Sequence, residues 1–156
     1  MLDAFAKHSG TGLQIVGRGD GLDHHHLIED VGIALGKAIY DALGEKRGIA
    51  RYGSMMVPLD DALVACSIDL SGRSYLNFDV SFDGVENLGD FKTEMIGEFF
   101  RAVVDNGKFN LHVIQMHGIV AHHLCEASFK AFAKAFQQAK TLTGSDEVLS
   151  TKGLLE

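Results

Sequence analysis

The chain is predicted to be an α+β domain made of two similar halves, and three observations predict it. The strand-patterned runs 62–70 and 74–82 are followed by a helical run at 90–104, and the strand-patterned run 109–116 by another at 122–139. The pattern His-His-x-x-Glu occurs at His25, His26 and Glu29 and again at His122, His123 and Glu126, with matching residues 97 positions apart. The composition, 46% apolar and 22% charged over 156 residues with Pro58 the single proline, suits one globular domain with a substantial core.

Residues 1–8 read as the end of a helix, with Leu2, Phe5 and Ala6 on its apolar side, followed by a glycine-rich turn over 9–12. Residues 13–16 (Leu-Gln-Ile-Val) suggest a short strand, and 17–23 a turn. A helix is expected from about His26 to Leu43, stopped by Gly44. Residues 45–53 form a polar connection carrying Arg51. The runs 62–70 and 74–82 alternate well enough to be paired strands joined at Ser71-Gly72. Residues 90–104 are helical, with Met95, Ile96, Phe99, Phe100 and Val103 on one face. A strand over 109–116, a second long helix over 122–139 and a polar tail over 141–156 complete the chain. Residues 1–15 can be laid over 99–113 as helix end, turn and strand, and both stretches lead into a His-His-x-x-Glu helix. The whole chain, 1–156, is thus one domain of two pseudo-repeats: an incomplete first half over about 1–60 and a second half over about 61–156.

The net charge of −7 excludes a nucleic-acid backbone as partner, because that binding needs a basic surface. No apolar run reaches the length of a membrane span, and the N-terminus lacks a signal-peptide pattern. Two distant cysteines, Cys66 and Cys125, give no disulfide framework, so a cytoplasmic protein is expected.

Imidazole and carboxylate are common protein ligands of divalent metals. At a helix start, adjacent histidines point in different directions, so one imidazole can serve one ion while its neighbour serves another. A single His-His pair is ordinarily just polar surface. Two copies with identical internal spacing at equivalent places in a repeat favour ligation by His25, His26, Glu29, His122, His123 and Glu126. His24 has Ala121 as its counterpart and is set aside. Arg51, Arg73 and Lys130 alone look like solvated cations, and residues 150–153 (Ser-Thr-Lys-Gly) like a small anion-binding turn of a common kind. Core packing suits Cys125 better than ligation, and His112 fits a strand position as well as a ligand role.

Taken together, these segments closely resemble the imidazoleglycerol-phosphate dehydratase family over nearly the whole chain. The resemblance rests on DHHHLIEDVGIALG (23–36), GIARYG (48–53), PLDDAL (58–63), DLSGRSY (69–75), EFFRA (98–102), Leu111-His112, HHLCEASFKAFAKAF (122–136) and STKGL (150–154). It implies two halves, each a mostly four-stranded sheet backed by helices, in the ribosomal protein S5 domain 2-like arrangement. The first half is truncated, since the family carries about forty more residues ahead of Met1, including a metal-ligating histidine. It further implies an octahedral 24-mer when that segment is present, with two manganese ions (other divalent metals being possible) in each active site at subunit contacts.

The implied reaction is dehydration of D-erythro-imidazole glycerol phosphate to imidazole acetol phosphate in histidine biosynthesis. Metal coordination would stabilise the deprotonated substrate imidazole, whose electrons expel a hydroxyl while a carboxylate moves the proton. Glu29 and Glu126 are implied as ligands, one doubling as the base. Glu98 stands where the family has a further ligand, commonly histidine. The phosphate would be held by Arg51, Arg73, Lys130, Ser150 and Lys152, because a dianion needs several convergent donors. Leu27, Lys92 and Val120 depart from the usual family residues. The alternative is a truncated, catalytically inactive relative whose metal has a structural role; a metallohydrolase acting on a phosphorylated substrate is a third reading.

Overall fold

In the computed structural model, which describes residues 1–19, 21 and 24–155, the chain runs α1 (Leu2–Ser9), α2 (His25–Leu43), β1 (Tyr52–Leu59), β2 (Ala62–Asp69), β3 (Tyr75–Asp79), β4 (Asn87–Leu88), β5 (Phe91–Lys92), α3 (Glu94–Gly107), β6 (Asn110–His117) and α4 (Ala121–Ala139). The main sheet has the order β1-β2-β6-β3. Alternation builds it: Ala62, Val64, Cys66 and Ile68 of β2 and Leu111 and Val113 of β6 are buried. That face is covered by α4, which packs on β1, β2 and β6, while α3 packs on β3. The expected α+β class, a four-stranded sheet backed by helices, is what the chain forms.

Helix α4 lies close to β1 because Gly53 has no side chain. A Cβ there would fall 1.9 Å from the Ala135 carbonyl oxygen. Phenylalanines fill the space between helices: Phe5 of α1 stacks on Phe132 at 5.0 Å, and Phe100 of α3 meets Phe129 at 5.0 Å. Helix α2 packs against α3 through Gly32 and Gly36, both buried. The φ of +63° at Gly10 closes α1 in the left-handed region, as the glycine-rich turn after residue 8 requires. Among the described residues, no helix is long and apolar enough to cross a membrane.

Three expectations need correction. Residues 13–16 form no strand. A strand needs a neighbour for its amide and carbonyl groups, and no described strand lies beside them, which leaves Val16 81% exposed. Residues 62–70 and 74–82 are not a hairpin. Their strands β2 and β3 flank β6, β2 antiparallel and β3 parallel, with α3 crossing between β3 and β6. The partner of β2 in a hairpin is β1, which overlaps the end of the supposed polar connection and is turned at Asp60 with φ +48°. Finally, α3 begins at Glu94 rather than Asp90, because residues 87–92 form the small β4–β5 hairpin around Gly89. The turn expected over 17–23 includes Asp20, Leu22 and Asp23, and the tail ends at Glu156; these four residues lie outside the described ones.

The polar tail returns along residues 47–51. Isolated bridges join Arg47 to Val148 and Ile49 to Leu142, and the Ala50 and Arg51 amides donate to the Thr141 and Ala139 carbonyls. This return brings residues 149–152 beside Arg51.

Candidate functional site

Both copies of the repeated motif open a long helix, where backbone geometry changes from irregular to helical. His25 is the first residue of α2 and His122 the second of α4. Within each pair the imidazoles diverge. The His25 and His26 rings are 6.0 Å apart at 90°, and those of His122 and His123 are 6.3 Å apart at 76°. In the α4 copy the two histidines face different neighbours, Glu126 and Asp61.

At the α4 copy the contacts are specific. His122 Nε2 lies 3.4 Å from Glu126 Oε2, one helical turn on. Two metal bonds of about 2.1 Å meeting at 90–110° separate their donor atoms by roughly 3.0–3.4 Å, so this pair fits two corners of one coordination sphere. Lys130 Nζ binds the other oxygen of Glu126 at 2.7 Å. That hydrogen bond, with the charges of Lys130 and His122, holds the Glu126 carboxyl below the usual carboxylate range. His123 turns toward the β1–β2 hairpin, with its Nδ1 2.6 Å from Asp61 Oδ1. Asp61 Oδ2 accepts the amide hydrogens of Ile119 at 2.7 Å and Val120 at 3.0 Å. Chiefly through the Ile119 amide, then through His123 and Val120, the Asp61 carboxyl is held well below its ordinary range.

The two motifs are held by different parts of the fold: α2 packs on α3, and α4 on the sheet and α1. Glu29 lies on the exposed first turns of α2, and Glu98 on the exposed side of α3 with Arg101 Nε 3.7 Å away. Among the described residues, no three His, Cys, Asp or Glu side chains gather into a group that could hold a metal. The donor types fit a divalent ion, and one chain supplies them in separate parts.

The expected phosphate residues divide. Arg51, Arg73, Ser150 and Lys152 line one open groove between the end of β2 and the returning tail. Lys130 does not line it and is instead engaged with Glu126. Arg51 also differs from expectation. Its Nε and Nη2 donate to the two oxygens of Asp69 at 2.7 and 3.1 Å, and its Nη1 donates to the Leu149 carbonyl at 2.6 Å. The forked face of this guanidinium is therefore taken up inside the chain, leaving one N–H on each terminal nitrogen for an anion. Its plane also lies over Tyr52, 4.7 Å from the ring centroid.

His112 meets Tyr75 at 5.3 Å on the sheet, which accords with a strand histidine. Burial pushes the Cys125 thiol up to about 12, in keeping with its packing role, and raises that of Cys66 as well. Two residues were missed as participants, Asp61 and Asp69. Each lies in a segment singled out for resemblance (58–63 and 69–75). The signal was an acidic residue at a strand end next to residues that need a fixed partner.

A model of the family described as imidazoleglycerol-phosphate dehydratase matches residues 1–136. Among the similar proteins is an imidazoleglycerol-phosphate dehydratase of Acetivibrio thermocellus, 50% identical over 99% of this chain and 80% of its own length. That of Roseobacter denitrificans is 48% identical with the same coverage. The crystal structure of the Staphylococcus aureus enzyme superposes with a TM-score of 0.85 at 42% identity, covering 91% of this chain and 81% of that one. The Pyrococcus furiosus enzyme, solved in complex with (S)-C348, gives 0.81 at 35% identity, covering 99% and 83%.

Proposed function

The chain belongs to the imidazoleglycerol-phosphate dehydratase family, hydro-lyases of histidine biosynthesis, and from that premise we propose that it removes water from D-erythro-imidazole glycerol phosphate to give imidazole acetol phosphate. In this reaction the C–O bond on the ring-bearing carbon breaks and a proton leaves the neighbouring carbinol carbon. The resulting enol tautomerises to the ketone, with one water released. The observation that carries the proposal is the pair of His-His-x-x-Glu motifs opening α2 and α4 within this family match.

His25, His26, Glu29, Glu98, His122, His123 and Glu126 would hold two manganese ions per active site. When bound, the metal supplies Lewis-acid stabilisation of the deprotonated substrate imidazole. Glu29 and Glu126 are the candidates to move the proton. Of the two, Glu126 stands with Lys130 Nζ on one carboxylate oxygen and His122 Nε2 near the other. Arg73, Ser150 and Lys152, with the remaining donors of Arg51, would take the phosphate in the groove. Lys130 would reach substrate only from its seat beside Glu126. Since one chain holds the metal donors apart, the site would be completed by neighbouring copies in an octahedral 24-mer. We place the protein in the cytoplasm with the rest of such biosynthesis.

The experiment is to load purified protein with Mn2+ and follow formation of the ketone by NMR, with bound metal and particle mass measured in parallel. Ketone formation with stoichiometric manganese in a large particle is expected. Metal-dependent assembly without turnover would restore the inactive structural relative, and release of inorganic phosphate would favour a metallohydrolase.

A further inference from the structure

The segment 58–63 carries family resemblance, yet the reaction as proposed gives none of its residues a task. Its Asp61 sits at the turn of the β1–β2 hairpin and makes three contacts with the entry to α4: His123 Nδ1 at 2.6 Å and the amides of Ile119 and Val120 at 2.7 and 3.0 Å. We propose that Asp61 is the positioning residue of His123, fixing its imidazole as the Nδ1–H tautomer so that Nε2 is the atom offered to a metal. The proposal rests on the reading of His123 as a ligand.

The argument is one of donors and acceptors. Two backbone amides donate to Oδ2 and favour the ionised carboxylate, which can only accept at either oxygen. The 2.6 Å contact at Oδ1 then requires the hydrogen to reside on Nδ1. A neutral imidazole with Nδ1 protonated keeps its lone pair on Nε2. A carboxylate behind a ligating histidine sets ring orientation and raises ligand basicity. The amide contacts matter for a second reason. Val120, the N-cap of α4, makes no side-chain cap, and Gly118 before it has φ +122° with a Cβ position 2.8 Å from the Ala62 Cα. Asp61 thus ties the hairpin turn to the glycine-dependent loop that leads into the first turn of α4. The second carboxylate at the turn, Asp60, is 75% exposed at its side chain, with Oδ2 3.5 Å from His123 Nε2. It marks the rival state, an imidazolium held between two carboxylates.

The test uses full-length protein labelled with 15N-histidine and read by solid-state NMR in the metal-free state at mildly alkaline pH. A His123→Gln difference spectrum assigns the resonance. His123 is expected to show a protonated Nδ1 and an unprotonated Nε2. In Asp61→Asn the amides of Ile119 and Val120 still demand an oxygen, so the side-chain NH2 faces Nδ1. The tautomer then flips to Nε2–H, and Mn2+ affinity by titration falls roughly 10–100-fold. A wild-type His123 carrying hydrogen on Nε2, alone or on both nitrogens, overturns the positioning role without any variant having to fold. Asp61→Asn with unchanged tautomer and unchanged Mn2+ affinity overturns it too. Wild-type protein with the expected tautomer and no Mn2+ binding overturns the ligand reading beneath it.

Discussion

Replacing Arg51 by lysine probes whether the groove depends on one guanidinium. Arg51 makes three charge-assisted bonds: two to Asp69 and one to the Leu149 carbonyl. The side chains of Arg51 and Asp69 are 13% and 20% exposed, nearer the interior than the surface. Removing one partner of a fully buried pair costs about 3–5 kcal/mol, whereas exposed pairs contribute about 0–1 kcal/mol. Lysine keeps the charge but cannot span both Asp69 and Leu149 with a planar fork. Two of the three bonds are lost, at about 1.5 kcal/mol each for partly exposed bonds to charged groups, so Arg51→Lys should lower unfolding free energy by about 3 kcal/mol.

The same substitution should reach the chemistry, because Leu149 immediately precedes Ser150 and two residues on stands Lys152. Untying the Leu149 carbonyl loosens the wall that carries both phosphate donors. Urea titration and steady-state kinetics read the two effects separately. We expect a lower midpoint together with a raised KM and a smaller change in kcat, since phosphate contacts lie away from the bonds that break. Wild-type stability would refute the tether. Reduced stability with an unchanged KM would refute the assignment of this groove to the phosphate.

Gly36→Ala should destabilise the fold although alanine favours an isolated helix by about 1 kcal/mol. Its Cβ would meet the Val103 carbonyl oxygen at 2.5 Å and the Gly107 nitrogen at 2.9 Å, both backbone, so α2 must move off α3. The net loss expected is about 1–3 kcal/mol, and a raised urea midpoint would overturn it. Both thiols should resist a disulfide reagent in the native state and react on unfolding, because burial disfavours their thiolates. Unfolded thiols ionise near pH 8.5, and the folded Cys125 only near 12. The folded state therefore binds more protons between those values, and stability should be unaffected below that window and fall as pH rises through it. Rapid labelling of native protein would contradict this account.

Local signals carried much of the fold. Residues 62–70 alternate because one face of β2 is buried, and the stop at Gly44 is read directly from its place after an apolar helical run. The strand β1 was concealed because it is an edge: Gly53 lies under α4, Pro58 needs no ladder donor there, and Met56 is 62% exposed. The β2–β3 hairpin failed because adjacency in sequence stood in for adjacency in space, while β6, thirty residues later, took the place between them. The helix-borne motifs needed only spacing to be seen. The groove was legible through resemblance alone, because Arg51 and Ser150 lie far apart in the sequence and meet through the returning tail.

Where the repeated motif sits bears on how a site could be completed. Placing both histidine pairs on first helical turns leaves their rings at the margin of the fold, with His122 61% exposed at its side chain. A core position would surround such imidazoles with apolar neighbours and penalise the charge of a bound ion. At the margin, His122 and Glu126 supply two donors at ligand spacing, while the proposed ligands of the first motif stand on α2. On the proposed function, a divalent ion seeking four to six donors would find its full set where two such margins meet. Metal occupancy and assembly should accordingly rise and fall together. Chelation of the loaded protein should reduce particle mass, and readdition of Mn2+ should restore it. A metal-free particle of undiminished mass that still regains activity on adding Mn2+ would show that other contacts bring the margins together.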